Sequence, residues 1–86
     1  MEENRVVHSF AKSETEEVHF SLREYKARYY LDVRVWFLPS NGGALRPTKK
    51  GITLALEYLS ELKQGLERAE KAVDEWALQS KPNSVE

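Results

Sequence analysis

Aromatic and cationic side chains alternate within one stretch of this chain, from residue 27 to residue 38. In the sequence ARYYLDVRVWFL, Tyr30, Arg34 and Trp36 fall in the same register as Asp32. Rings interleaved with a cation can stack nucleotide bases and neutralise phosphates. A plainer interpretation is also open, in which Arg34 and Asp32 form a cross-strand ion pair on a solvated face, worth under about 1 kcal/mol.

A β-strand must position these side chains, because the alternation has period two and is rich in valines and aromatics. Residues 18–23 repeat the alternation and predict a half-buried strand. A turn around Lys26 and Ala27 joins it to the strand at 27–38, and the sequence leaves the type of this turn uncertain. A short strand is predicted at 6–10. Another is predicted at 45–54, after an Asn-Gly-Gly loop, and Pro47 requires that strand to be an edge or to be interrupted.

The period becomes helical from Leu56 to about Gln79, with Thr53 as a candidate cap. An apolar stripe recurs at spacings of 3, 4, 3, 4 and 3, in the residues Leu59, Leu62, Leu66, Ala69, Val73 and Trp76. We expect this helix to cover one face of a sheet of short strands. At roughly 35 Å it would extend beyond them, so Val73 and Trp76 are predicted to pack against a second copy of the chain. The residues from Ser80 onward predict a disordered tail.

Positive charge is concentrated in the middle of the chain, although the net charge of the 86 residues is only -1. Residues 18–56 contain seven Lys and Arg against two acidic residues, whereas acidic residues outnumber basic ones by five to two in 1–17 and seven to four in 57–86. Such segregation is a better guide to partners than the overall charge. There is no cysteine, and His8 and His19 lack the spacing of a zinc site, so we expect neither metal nor cofactor.

Three segments in this order resemble the positive cofactor four family of transcriptional coactivator-type, single-stranded-DNA-binding proteins. They are Arg-Glu-Tyr-Lys-Ala-Arg at 23–28, Leu-Asp-Val-Arg at 31–34 and Leu-Arg-Pro-Thr-Lys-Lys-Gly-Ile-Thr-Leu at 45–54, followed by the predicted helix. The resemblance covers about residues 17–75. The chain lacks the Ser- and Lys-rich N-terminal region of eukaryotic members, which favours a short bacterial or phage-type member.

The resemblance implies an α+β fold, in which a curved four-stranded antiparallel sheet precedes one long C-terminal helix in a single domain spanning 1–79. It also implies a homodimer formed through helix and sheet, and we place Leu62, Leu66, Ala69, Val73 and Trp76 in that interface. By the same resemblance the nucleic-acid-binding residues are Arg23, Tyr25, Lys26, Arg28, Arg34, Trp36, Phe37, Arg46, Lys49 and Lys50. The choice between Trp36 and Phe37 as the stacking ring stays open. Plain alternation predicts that Phe37 is in the core and that Trp36 is exposed. The resemblance predicts the reverse, and a bulge in the strand would reconcile the two predictions.

The function we expect is non-catalytic, largely sequence-independent binding of single-stranded DNA in support of transcription, replication or repair. The alternatives are an RNA-binding module and a protein-interaction cofactor that recruits transcription or replication machinery. No nucleophile and base pair, carboxylate dyad, metal set or phosphate loop can be assembled from these residues, so an enzyme is the least favoured class. No segment has the length and apolarity of a membrane span, and we expect a cytoplasmic, nucleoid-associated protein, or one in the host cytoplasm if phage-encoded.

Overall fold

The computed structural model describes residues 3–79, so the disordered tail predicted at 80–86 lies outside the described residues. Its strands are β1 (Glu3–Ala11), β2 (Glu16–Tyr25), β3 (Arg28–Phe37) and β4 (Arg46–Ala55). A 3₁₀ turn (Leu56–Tyr58) then leads into the helix α1 (Leu59–Gln79). The predicted fold class is therefore confirmed, and β1 is longer than the strand predicted at 6–10.

The four strands form one antiparallel sheet in the order β1-β2-β3-β4, so each strand pairs with its neighbours in sequence. Two residues, Lys26 and Ala27, connect β2 to β3, as the sequence predicts. The longer loop between β3 and β4 includes Gly42 with a φ of 84°, which fits the Asn-Gly-Gly signal. β4 is an edge strand, which permits Pro47 because its missing N–H is not needed by a further strand.

Alternate residues of the strands form two faces of different chemistry. The pairing of β2 with β3 is unbroken from Glu16 opposite Phe37 to Tyr25 opposite Arg28. Because opposite residues share a face, the register defines a polar face, which includes His19, Ser21, Arg23, Tyr25, Arg28, Tyr30, Asp32, Arg34, Trp36, Gly51 and Thr53. The register also defines an apolar face, which includes Phe10, Val18, Phe20, Leu22, Leu31, Val33, Val35, Ile52 and Leu54.

The helix does not cover the sheet within this chain, so the expectation that it would do so is wrong. α1 contacts the 3₁₀ turn that precedes it and packs against no strand to a comparable extent. Its apolar stripe is consequently exposed, with Leu66 at 56%, Val73 at 54% and Trp76 at 68%. The strands contain nine or ten residues and are about as long as the helix, so the premise of short strands was also wrong. Thr53 lies within β4 and does not cap the helix.

A single chain buries little apolar surface. Leu31 is the one buried hydrophobic residue in the part of the chain that the structure describes. The accessible surface is 7241 Å², against about 5,200 Å² for a compact monomer of this mass. The radius of gyration is 16.3 Å, against about 12 Å for a compact domain of this length. None of the described helical residues form a segment long and apolar enough to span a membrane.

Candidate nucleic-acid interface

The β2–β3 hairpin carries an exposed aromatic ring beside cations that form no ion pair within residues 3–79. Tyr25 and Arg28 face each other across a two-residue turn, in which Lys26 and Ala27 have φ of 52° and 63°. Two successive positive φ values are typical of the type I′ turn that matches the twist of a hairpin. Tyr25 is 47% exposed, and Lys26 Nζ lies 5.3 Å from the centre of its ring. This turn therefore projects a ring with cations on either side of it into solvent.

Arg34, at the centre of the polar face, is held by hydrogen bonds within the protein. Its Nε donates to Asp32 Oδ2 at 3.1 Å and its Nη2 to Asp32 Oδ1 at 2.7 Å. Its Nη1 donates to the carbonyl oxygen of Thr48 on β4 at 2.9 Å. Thr53 Oγ1 donates to Asp32 Oδ1 at 2.6 Å and lies 3.2 Å from Arg34 Nη2. The ion pair thus lies along β3 rather than across two strands, and the hydrogen bonds to Thr48 and from Thr53 tie β3 to β4.

The protonation of this pair follows from its contacts. Burial alone would raise the pKa of Asp32, because its charged form is desolvated. Hydrogen bonds from Arg34 and Thr53, together with the charges of Arg34 and Arg23, outweigh burial and lower that pKa below its usual value. The hydrogen bond to Asp32 raises the pKa of Arg34 in turn. Both groups are therefore charged at neutral pH, and the carboxylate neutralises the guanidinium beside it.

A bulge in β4 carries the lysine pair. The pairing of β3 with β4 is interrupted between Arg34, which is opposite Gly51, and Trp36, which is opposite Pro47. Thr48 Oγ1 stabilises the bulge, since it donates to the Val35 carbonyl at 2.8 Å and accepts from the Lys50 backbone N–H at 3.1 Å. These bonds, together with the one from Arg34 to the Thr48 carbonyl, fix the backbone from which the exposed Lys49 and Lys50 project.

Gly51 is required where the bulge ends. A Cβ atom at this position would lie 2.5 Å from the Val33 carbonyl oxygen and 2.8 Å from Arg34 Cα. Both atoms belong to the backbone and cannot move aside cheaply. The neighbour that Gly51 approaches so closely is the adjacent strand β3.

Trp36 and Phe37 lie on opposite faces, because the β2–β3 pairing has no irregularity at this end. Trp36 is on the polar face, half-buried, and its ring stacks on His19 with 4.9 Å between the ring centres. Phe37 is the last residue of β3 and is 40% exposed. Plain alternation therefore assigns the faces correctly but the exposures wrongly. A bulge is present, but it falls in the β3–β4 pairing and leaves the alternation of β3 unchanged.

His19, whose ring stacks on Trp36, is also hydrogen-bonded through one ring nitrogen. His19 Nε2 lies 2.9 Å from Glu17 Oε1, while His19 Nδ1 and Trp36 Nε1 are buried without a partner among the described residues. Through the stacking contact, His19 orients Trp36.

The predicted cations fall into three groups along the sheet. Arg23, Lys26 and Arg28 lie at the hairpin end. Lys49 and Lys50 project from the bulge, and Arg46 lies opposite Phe37 at the far end. None of these six forms an ion pair within residues 3–79, whereas Arg34 does. The structure therefore leaves most of the mid-chain positive charge without internal compensation.

The list of predicted binding residues leaves out two contributors to the polar face. Tyr30 lies directly opposite Arg23, and with Tyr25 and Thr53 these residues line a cavity of about 310 Å³. The alternation does place Tyr30 in the register of Arg34, so a signal for it was present. Thr48 had none, because its role depends on a bulge formed by residues distant in sequence.

The fold is an antiparallel sheet followed by a helix, and one hairpin places an exposed ring beside cations that are unpaired within residues 3–79, an arrangement suited to nucleic acid. A family model described as Transcriptional Coactivator p15 (PC4) matches residues 12–65, more than half of the chain. The chain belongs to this family of DNA-binding transcriptional coactivators, and the resemblance expected from the sequence is confirmed.

Solved structures of bacterial and phage proteins are similar to this chain. Two crystal forms of a PC4 homologue from Burkholderia pseudomallei match with TM-scores of 0.71 and 0.72 and identities of 33% and 32%. These matches cover 78% and 79% of this chain and 89% and 98% of the other. A bacteriophage T5 homologue of PC4, implicated in recombination-dependent DNA replication, matches at 27% identity with a TM-score of 0.55, covering 93% of this chain and 98% of that one.

Proposed function

We propose that this protein binds single-stranded DNA as a homodimer, without catalysis, and that it supports transcription or recombination-linked replication. The observation that carries the proposal is the β2–β3 hairpin, where exposed Tyr25 stands among Arg23, Lys26 and Arg28. These three cations have no acidic partner among the described residues. Rings and uncommitted cations together suit a single strand, because a duplex hides the faces of its bases.

The binding energy has two separable sources. Each Lys or Arg that neutralises a phosphate releases counterions, which makes the affinity fall with salt concentration. Tyr25, and Trp36 or Phe37 at the other end of β3, stack bases at about 1 to 3 kcal/mol per base. We assign the phosphate contacts chiefly to Lys49, Lys50 and the hairpin cations. Arg34 contributes mainly by holding the bulge, since its hydrogen bonds are used internally.

The homodimer is supported by what one chain leaves uncovered. The apolar face of the sheet has Ile52 at 48% and Phe10 at 49% exposure, and the apolar stripe of α1 is exposed as well. Exposed apolar surface of this extent is rare in a monomer. A second copy offers the same two surfaces, and a two-fold interface is self-complementary. A dimer of this kind would carry two hairpin sites, able to hold two strand segments that run in opposite directions.

The proposal is tested by fluorescence anisotropy with labelled oligothymidine and a matched duplex across a salt series. Tyr25→Ala is expected to weaken binding to the single strand with little change in salt slope. Lys49→Ala/Lys50→Ala is expected to lower the slope by roughly 1 to 1.5 units, at about 0.7 per phosphate. Lys63→Ala/Lys71→Ala, on α1, is the matched control and should leave the slope unchanged.

Two results would contradict the proposal. The first is preference for the duplex, and the second is a slope that responds equally to the helix lysines and the bulge lysines. A matched oligouridine arm separates DNA binding from RNA binding, since tighter binding of the RNA would favour the RNA-binding alternative.

A further inference from the structure

The cavity at the hairpin end of the polar face is of a size for one small planar ligand. Its volume is about 310 Å³, at the lower limit of the ligand sites found in proteins. Arg23 and Tyr30 lie opposite each other across the β2–β3 pairing, Tyr25 is two residues further along β2, and Thr53 completes the lining from β4. Two aromatic rings from neighbouring strands thus border the space in which a ligand would lie.

The one charged group that lines this cavity is a hydrogen-bond donor. Arg23 has no hydrogen bond or ion pair from its guanidinium to any residue within 3–79, and a guanidinium can only donate. Thr53 Oγ1 already donates its proton to Asp32 and accepts from Arg34 Nη2. Asp32 is 4% exposed and is occupied by Arg34 and Thr53, and no acidic side chain lines the cavity. An exocyclic amino group would therefore find no charged acceptor here, whereas a carbonyl oxygen would find a donor.

We infer that this cavity receives one unstacked base of the bound strand, and that it prefers guanine to adenine. Guanine carries O6 and N7 side by side, and an arginine can donate to both at once, whereas adenine replaces O6 with an amino group that would face the guanidinium. Tyr30 supplies a second aromatic wall, in addition to Tyr25. The inference rests on the proposed function and deepens it, because stacking alone accepts every base.

The test uses single strands of abasic nucleotides that carry one central base, so that only one base can enter the site. Anisotropy competition compares guanine, adenine and 7-deazaguanine, which keeps O6 but lacks N7. We expect the guanine strand to bind about fivefold to tenfold more tightly than the adenine strand. This ratio is near the lower limit of the discrimination that one bidentate arginine contact to a base provides, because the cavity is open to solvent. The affinity of the strand with 7-deazaguanine should be close to that of the adenine strand.

Variants assign the preference to particular residues. Arg23→Met keeps the aliphatic part of the side chain and should abolish the preference for guanine. Arg28→Met removes a neighbouring cation that does not line the cavity, so it should weaken binding of both strands equally and preserve their ratio. Tyr30→Leu should weaken both purine strands relative to a wholly abasic strand. Circular dichroism checks that each variant is folded. The comparison of guanine with adenine is made on the unmodified protein, so it does not depend on the folding of any variant.

Equal affinity for guanine and adenine, with salt-dependent binding of the abasic strand intact, would overturn this inference and leave the proposed function standing. Failure of the protein to bind any single strand would overturn both. A guanine preference that survives Arg23→Met would also overturn the assignment to this cavity.

Discussion

The polar face and the apolar face are built from alternate residues of the same strands, yet one chain completes only the first. On the polar face, Ser21 and Asp32 are 2% and 4% exposed, and Arg34, Thr48 and Thr53 form hydrogen bonds that need no second molecule. On the apolar face, Leu31 is buried, but Leu22 and Ile52 are 37% and 48% exposed. The polar interactions are local to three strands, whereas the apolar packing needs a further layer.

This difference indicates how assembly and binding are divided between the faces. Hydrogen bonds on the polar face pre-arrange the bulge before any ligand arrives, which lowers the cost of ordering it on binding. In the homodimer that we propose, the apolar face and the apolar stripe of α1 would supply the contacts between the two copies. We therefore expect substitutions on the apolar surfaces to act through assembly, and substitutions on the polar face to act through local stability or DNA affinity.

The largest effect is expected for Leu66→Glu in the apolar stripe. A carboxylate without a partner would be desolvated in the helix contact, and the packing of the leucine would be lost. We expect the dimer to weaken by at least about 100-fold, or about 3 kcal/mol, as measured by sedimentation equilibrium. Gln64→Glu places the same charge on the opposite side of α1 and is the matched control. Equal association of the two variants would show that the stripe is not in the interface.

A smaller effect is expected for Asp32→Asn on the polar face. The change leaves the charge of Arg34 without its carboxylate in a partly buried position, so we expect a loss of about 2 to 4 kcal/mol in the free energy of unfolding. Asp74→Asn, on the exposed surface of α1, should change it by less than about 0.5 kcal/mol. Denaturant unfolding at neutral pH measures both.

The pH dependence of this loss has a definite sign. Since the pKa of Asp32 is lower in the folded protein than its ordinary value of 3.8, the pair contributes fully above that value. Its contribution is lost as the pH falls through the lowered pKa. The stabilities of the wild-type protein and Asp32→Asn should therefore converge in strong acid, and a difference that persisted there would contradict the role of the ion pair.

Gly51→Ala is expected to disturb the junction between β3 and the bulge by about 1 to 3 kcal/mol, the usual cost of overpacking. The added Cβ would overlap backbone atoms of Val33 and Arg34. Gly43→Ala is the matched control in the β3–β4 loop, where the nearest atoms would be 3.3 Å and 3.6 Å away and belong to side chains. Thermal unfolding compares the two, and equal melting temperatures would count against the close approach.

The sequence predicted most of the fold because the signals involved are local. The alternation of β3 determines which residues share a face, the period of 59–76 determines the helix, and Pro47 indicates an edge strand. The position of α1 relative to the sheet was not predictable in this way. An apolar stripe requires a partner, but it does not specify whether that partner is the same chain or another.

The candidate site was predicted less completely, for a related reason. Residue types and alternation identify Arg34 and Trp36, and the family resemblance adds Tyr25, but neither shows which hydrogen bonds are already made. Arg34 is committed to Asp32 and Thr48, and Trp36 is stacked on His19, through contacts that span several strands. Such contacts depend on the register of the whole sheet and on the bulge in β4. The sequence alone therefore could not separate positioning residues from binding residues.

The smallest change in the free energy of unfolding is expected for Ala27→Gly, in the turn that joins β2 to β3. Ala27 has a φ of 63°, a left-handed conformation that costs a residue with a Cβ about 1 to 2 kcal/mol and glycine almost nothing. Ala27→Gly should therefore raise the free energy of unfolding by about 1 kcal/mol, after allowance for the greater entropy of glycine in the unfolded chain. Ala44→Gly, in a loop position without a positive φ, should lower it slightly. Because the turn geometry is kept, Ala27→Gly should leave DNA affinity unchanged. Loss of stability in this variant would mean that the turn is not of type I′, and that Tyr25 and Arg28 are presented differently.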